Sequence, residues 1–153
     1  MDPISSIVTA LACGAIAGLR PTAEQIVKDS YNGLKHLIQR KYKESQEGLE
    51  LLEKDPESKL KKAVVIEDLG KTDIRDDIEV LQKVQELLAA LQSTSSENKE
   101  VAVFLEQVEA ASLTINKVIS SHTGVHVKDA KFKGDIKISD VSAGMGNKNT
   151  PKG

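Results

Sequence analysis

From Pro3 to Leu19 the chain carries no charged side chain. The run reads PISSIVTALACGAIAGL, with Ser5, Ser6 and Thr9 as its only side-chain polar groups. As a helix its seventeen residues would span about 25 Å, against roughly 30 Å for the hydrocarbon core of a bilayer. That is the lower limit for a membrane crossing. An export signal opens on basic residues, whereas this chain begins Met1-Asp2 and has its first basic residue at Arg20. Export is therefore not expected. The run reads either as a buried core helix or as a helix sequestered at rest that enters a membrane when released. In the second case the inserting residues are Ile4, Ile7, Val8, Leu11, Gly14, Ile16, Gly18 and Leu19.

Spacing within the run carries further information. Ala10, Gly14 and Gly18 recur every four residues and so share one helix face. Small-xxx-small stripes allow close helix–helix approach in membranes, and in soluble bundles as well. Glycine costs about 1 kcal/mol relative to alanine inside a helix, so two of them imply a packing reason. Cys13, the only cysteine, reads as a small buried apolar residue, since no base lies near it in sequence.

Past Arg20 the pattern is that of amphipathic helices. Thr22 and Gln25 form a candidate capping box, followed by Ala23, Ile26, Val27, Tyr31, Leu34, Ile38 and Tyr42 at spacings of three and four. This helix can continue through Leu49 and Leu52, loosened at Gly48. Asp55-Pro56 reads as a cap with proline at the first helical position, opening a shorter helix with Leu60, Ala63, Val64 and Leu69 that stops at Gly70. Thr72 or Asp73 opens the next, with Ile74, Ile78, Leu81, Leu88 and Leu91 on one face. A serine-rich loop at 93–96 precedes a last helix carrying Val101, Phe104, Leu105, Val108, Ala111, Ile115 and Val118. The expected fold is all-α: about four amphipathic helices plus the hydrophobic first one (about 3–19) over residues 1–121, followed over 122–153 by a linker and a short two-rung C-terminal β motif at about 125–146.

Composition argues against catalysis and against nucleic acid. Aromatic residues are 3% with no tryptophan, too few for a ring-lined pocket or a base-stacking platform, and the net charge of −2 supplies no basic field. Asp73, Asp76, Asp77 and Glu79 form an acidic cluster better read as a solvated helix start than as a metal site. His36 reads as a surface or half-buried histidine. His122 and His126 have helical ligand spacing but no third ligand at zinc spacing. Neither a glycine-rich phosphate loop nor a serine elbow is present. No enzyme, cofactor, metal or nucleic-acid partner is expected.

The tail differs from the body. From Gly124 the period changes to two: Val125 and Val127 alternate with His126 and Lys128, and Ile136 and Ile138 with Lys137 and Ser139. Residues 1–123 hold 15 basic and 20 acidic side chains, net −5, whereas residues 124–153 hold 6 and 3, net +3. VHVKDAKF at 125–132 aligns with IKISDVSA at 136–143 at an offset of eleven, and Gly134 and Gly144 follow the two units. Two such units could stack as rungs between chains, satisfying every backbone group along a fibril axis. Val125, Val127, Phe132, Gly134, Ile136, Ile138, Val141 and Gly144 would form that self-assembly motif. A hairpin docked on the bundle and a disordered basic tail are the alternatives, and an isolated hairpin is marginal in water.

These features in this order resemble bacterial Bell-domain proteins, counterparts of the fungal HeLo and HELL cell-death domains that end in amyloid signalling motifs. The likeness is strongest over MDPISSIVTALACGAIAGLRPTAEQIVKDSYNGLKHLIQRKY, residues 1–42, and the tail GDIKISDVSAGMGNKN is similar in style to such motifs. The resemblance implies an antiphage or allorecognition death effector, cytoplasmic at rest and at the cell membrane upon activation. A matching motif on an NLR-like sensor would template the tail. Homo-oligomerisation would then release the first helix into lipid, with Arg20, Lys28, Lys35, Arg40, Lys41 and Lys43 meeting anionic headgroups. The competing reading is a soluble adaptor or scaffold whose tail recruits a partner without touching lipid.

Overall fold

A computed structural model describes residues 1–94 and 102–131, with side chains described up to residue 122. Among these residues the chain is helical and contains no strand. Its contacts divide it into two units, Met1–Ile119 and Ser120–Gly153.

Helix α1 (Pro3–Gly18) starts where the sequence dictates. Asp2 caps it, its Oδ1 accepting from the Ser5 amide at 2.7 Å, and Pro3 takes the first turn, where a missing N–H costs nothing. The hydroxyl of buried Ser6 donates to the Asp2 carbonyl at 2.9 Å, so no polar group inside the run is stranded. Helix α2 (Gln25–Lys41) begins later than the Thr22 cap predicted, after a turn at Pro21-Thr22. It ends at Tyr42, and a 3-10 turn (Lys43–Ser45) leads into α3 (Gln46–Lys54). The expected single long helix is therefore broken. Ser45 is fully buried at the break, its hydroxyl on the Tyr42 carbonyl at 2.7 Å.

Pro56 does not open a helix. Asp55 caps the end of α3, a turn follows, and Ser58 caps α4 (Lys59–Gly70) by accepting from the Lys61 amide. Val65 and Leu69 are the buried residues of α4, while Leu60, expected on the core face, is exposed. A second 3-10 turn (Ile74–Asp76) precedes α5 (Ile78–Thr94), which buries Val80, Leu81, Val84, Leu87, Leu88 and Leu91. Helix α6 (Leu105–Lys131) buries Val108, Ala111 and Ile115.

The first expected rung of the tail falls inside α6. Val125 and Val127 stand on helical backbone, so up to Lys131 the predicted strand at 125–132 is absent from the single chain. Ile115, Val118, His122 and Val125 keep the three–four spacing, and Gly124 alone costs only about 1 kcal/mol, so the helix propagates through it. Phe132, Gly134, Ile136, Ile138, Val141 and Gly144 lie outside the described residues.

Candidate functional site

Helix α1 is the centre of the bundle, packing against α2, α4 and α5, and more lightly against α3 and the turn before α5. Of the residues expected to insert, Ile4, Ile7, Val8, Leu11, Gly14 and Gly18 are buried in the core. Ile16 is half-buried and Leu19, just past the helix, is 49% exposed. Ser5, Thr9 and Ile16 are the half-buried positions within the helix after Pro3, and at 100° per residue they form one narrow outward stripe.

The stripe of small residues has a definite use at rest. A Cβ on Gly14 would stand 2.8 Å from Cδ1 of Tyr31 and 2.9 Å from Cδ2 of Leu87, closer than packed atoms tolerate. One on Gly18 would lie 3.5 Å from Cβ of Tyr31 and 3.6 Å from Cγ1 of Val27. Gly14 thus lets α1 approach α2 and α5 together. The spacing that could serve helix pairing in lipid is here occupied by the resting bundle.

Two polar clusters fasten the helices around α1. The Tyr31 hydroxyl donates to Glu53 Oε2 at 2.5 Å, and Lys35 Nζ pairs with the same oxygen at 2.7 Å, tying α2 to α3. Burial, then the bond to Glu53, raises the Tyr31 phenol well above its ordinary range and keeps it a donor. At the other end of α2 the Tyr42 hydroxyl lies 2.7 Å from Asp77 Oδ2 and 3.2 Å from Asp73 Oδ1. Lys41 Nζ pairs with Asp77 at 3.0 Å and Glu79 at 2.7 Å, and Asp77 Oδ1 accepts the Val80 amide at the start of α5. The acidic cluster is thus a helix start, with Asp77 joining it to α2. Both tyrosines read in the sequence as plain apolar positions. The missed signal was the hydroxyl, which a buried tyrosine must place on a partner.

Burial alone would raise the Asp77 carboxyl, but hydrogen bonds from Tyr42, Lys41 and the Val80 amide outweigh it and hold it below the usual range. A carboxyl lowered on folding contributes stability that is complete above its unfolded value, about pH 4, and is lost as pH falls through the folded value. Tyr42→Phe should therefore cost about 1–2 kcal/mol at pH 7 and flatten the loss of stability between about pH 5 and pH 3. Urea unfolding at several pH values measures both effects.

Lys35 and Lys41, two of the six expected headgroup contacts, are held in these ion pairs, so lipid contact through them requires the clusters to open. Burial pushes the Cys13 thiol up to about 11, partly offset by Lys62 on α4, so it is a protonated packing group at neutral pH. Among the described residues no helix is long and apolar enough to cross a membrane, and no three His, Cys, Asp or Glu side chains could hold a metal ion.

Fold and site together define a helical bundle closed around one uncharged helix, with polar side chains fastening the neighbouring helices to one another. The chain belongs to the Het-E N-terminal domain family, whose profile matches residues 1–146. This is a fungal, HeLo/HET-related cell-death family associated with heterokaryon incompatibility, the fungal side of the resemblance read from residues 1–42. No curated protein and no solved structure matches the chain.

Proposed function

We propose that the chain is a non-enzymatic cell-death effector that self-assembles through its C-terminal motif and then commits α1 to a membrane, after a cue from an NLR-like sensor bearing a matching motif. The observation carrying this reading is the burial of an uncharged helix at the centre of the bundle. Core and bilayer offer the same apolar side chains comparable environments, so α1 can exchange one for the other. Burying Ile4, Ile7, Val8 and Leu11 contributes about 1.5–3 kcal/mol each, together comparable to the whole stability of a domain. Release of α1 and opening of the bundle are then one event. It frees Tyr31, Tyr42, Lys35 and Lys41 from their clusters and lets the lysines meet anionic headgroups. A helix of 16 residues covers about 24 Å, so it acts in a thinned bilayer or as an oligomer.

Thr9 tests insertion without disturbing the fold, because it sits on the outward stripe and, among the described residues, its hydroxyl reaches only Met1 Sδ, at 3.9 Å. Thr9→Asp places a charge near mid-helix at about 2.5–3.5 kcal/mol if the helix enters lipid. Leakage of anionic vesicles should fall on the order of 100-fold, with the resting circular dichroism unchanged. Equal leakage by the variant would rule out insertion. Vesicles left intact by the assembled wild-type chain would favour the adaptor reading.

A further inference from the structure

The two most exposed large apolar side chains among the described residues are Leu60 and Val103, each 76% exposed. Val103 belongs to the end of the bundle where α1 finishes, and Leu60 follows the turn before α4 that contributes Glu57 there. There an open cavity of about 220 Å³ is lined by Ile16, Glu57, Val103 and Phe104. It is smaller than the roughly 300 Å³ at which small-molecule sites begin, and suits an aliphatic side chain. Among the described residues Glu57 is its one charged lining group. Three residues on, exposed Leu60 stands in sequence between Lys59 and Lys61 in the first turn of α4, a turn that contains no acid although the helix dipole favours one there. Among the described residues neither Glu57 nor these lysines makes an ion pair within the chain.

An exposed leucine with a lysine on either side in sequence thus follows, three residues on, an anion that lines an apolar hole. We propose that this face binds a second copy of the chain in a two-fold contact. Leu60 of each copy fills the cavity of the other, and Lys59 and Lys61 meet the other copy's Glu57. Only a two-fold contact uses knob and hole from both copies at once. An anionic membrane fits less well, because residues 50–62 balance Lys54, Lys59, Lys61 and Lys62 with Glu50, Glu53, Asp55 and Glu57. The contact is small, so it acts when copies are already concentrated, as assembly through the tail would make them. It does not depend on α1 entering lipid.

The test is sedimentation velocity across a concentration series. The full chain carries Ile138→Pro, because proline removes a strand donor and so opposes assembly through the tail. A reversible dimer is expected, with Leu60→Asp raising its dissociation constant at least about 30-fold and leaving the circular dichroism unchanged, since Leu60 is exposed. Glu57→Lys should weaken the dimer about two- to fivefold, and adding Lys59→Glu and Lys61→Glu to the same chain should restore it. A chain that stays monomeric to about 1 mM, a value in the weakest range of specific association, overturns the proposal. So does a dimer indifferent to Leu60→Asp, or a charge reversal without rescue. Loss of anionic-vesicle binding in Leu60→Asp with dimerisation unchanged would assign the face to lipid and overturn it too.

Discussion

Deleting residues 1–19 should unfold the bundle, not produce a folded protein lacking one helix. The segment supplies Ile4, Ile7, Val8 and Leu11 together with four alanines and Cys13, and α2, α4 and α5 all pack on it. By area alone the four large side chains contribute about 6–12 kcal/mol, as much as a domain's entire margin of about 5–15 kcal/mol. Thermal melts of the truncated chain should lose their cooperative transition, and its far-ultraviolet circular dichroism should fall well below that of the intact protein. A consequence follows for toxicity assays. Loss of killing on truncation would report loss of the fold as much as loss of insertion, whereas Thr9→Asp separates the two. A truncated chain that melts cooperatively near the wild-type temperature would show that α1 is an appendage.

Gly14→Val should be the most damaging single substitution among the glycines of the body. The added atoms meet the Tyr31 ring and Leu87, and the ring cannot swing aside while its hydroxyl is held by Glu53. Overpacking of this kind costs typically 1–3 kcal/mol, and with two helices pushed apart we expect about 3 kcal/mol, a fall in Tm on the order of 10 °C. Gly33 provides the contrast, since a Cβ there meets nothing within 4 Å. Gly33→Ala should gain about 0.5–1 kcal/mol from helix propensity alone. Differential scanning calorimetry of the pair decides it. If both changes shift Tm alike, the close approach at Gly14 is not what the packing requires.

The contrast between these glycines shows what the sequence could convey. Its pattern predicted that Gly14 has a packing reason, because spacing with Ala10 and Gly18 is a local property. Which helices it meets was not legible, since Tyr31 and Leu87 come from 17 and 73 residues away. The first helix was readable almost to the residue from Asp2, Pro3 and the missing charges, and Gly70 marked the end of α4. Long-range packing decided the rest. No proline or glycine announces the break at Tyr42; buried Ser45 and the approach of Gly48 to Val65 and Asp68 determine it. On α4, apolar spacing placed Leu60, Ala63, Val64 and Leu69 inward, whereas Leu60, Ala63 and Val64 are exposed and Val65, which meets α3 at Gly48, is buried with Leu69. Ile26 and Leu37 exchange places on α2 in the same way: Ile26 is exposed and Leu37 buried. The hydroxyl bonds of Tyr31 and Tyr42 join residues 22 to 35 positions apart, beyond the reach of any periodicity.

Cys13 allows the central claim to be tested in the unaltered chain. It is the only cysteine, lies in the middle of α1 and is 4% exposed at rest. A water-soluble maleimide should leave the resting protein unlabelled. After assembly is triggered without lipid, Cys13 should label within minutes, because the bundle has opened. After assembly on anionic vesicles it should be shielded from the water-soluble reagent while the vesicles leak. A Cys13 that stays unlabelled in assembled, lipid-free protein, or labels freely while vesicles leak, would contradict the transfer of α1 from core to membrane.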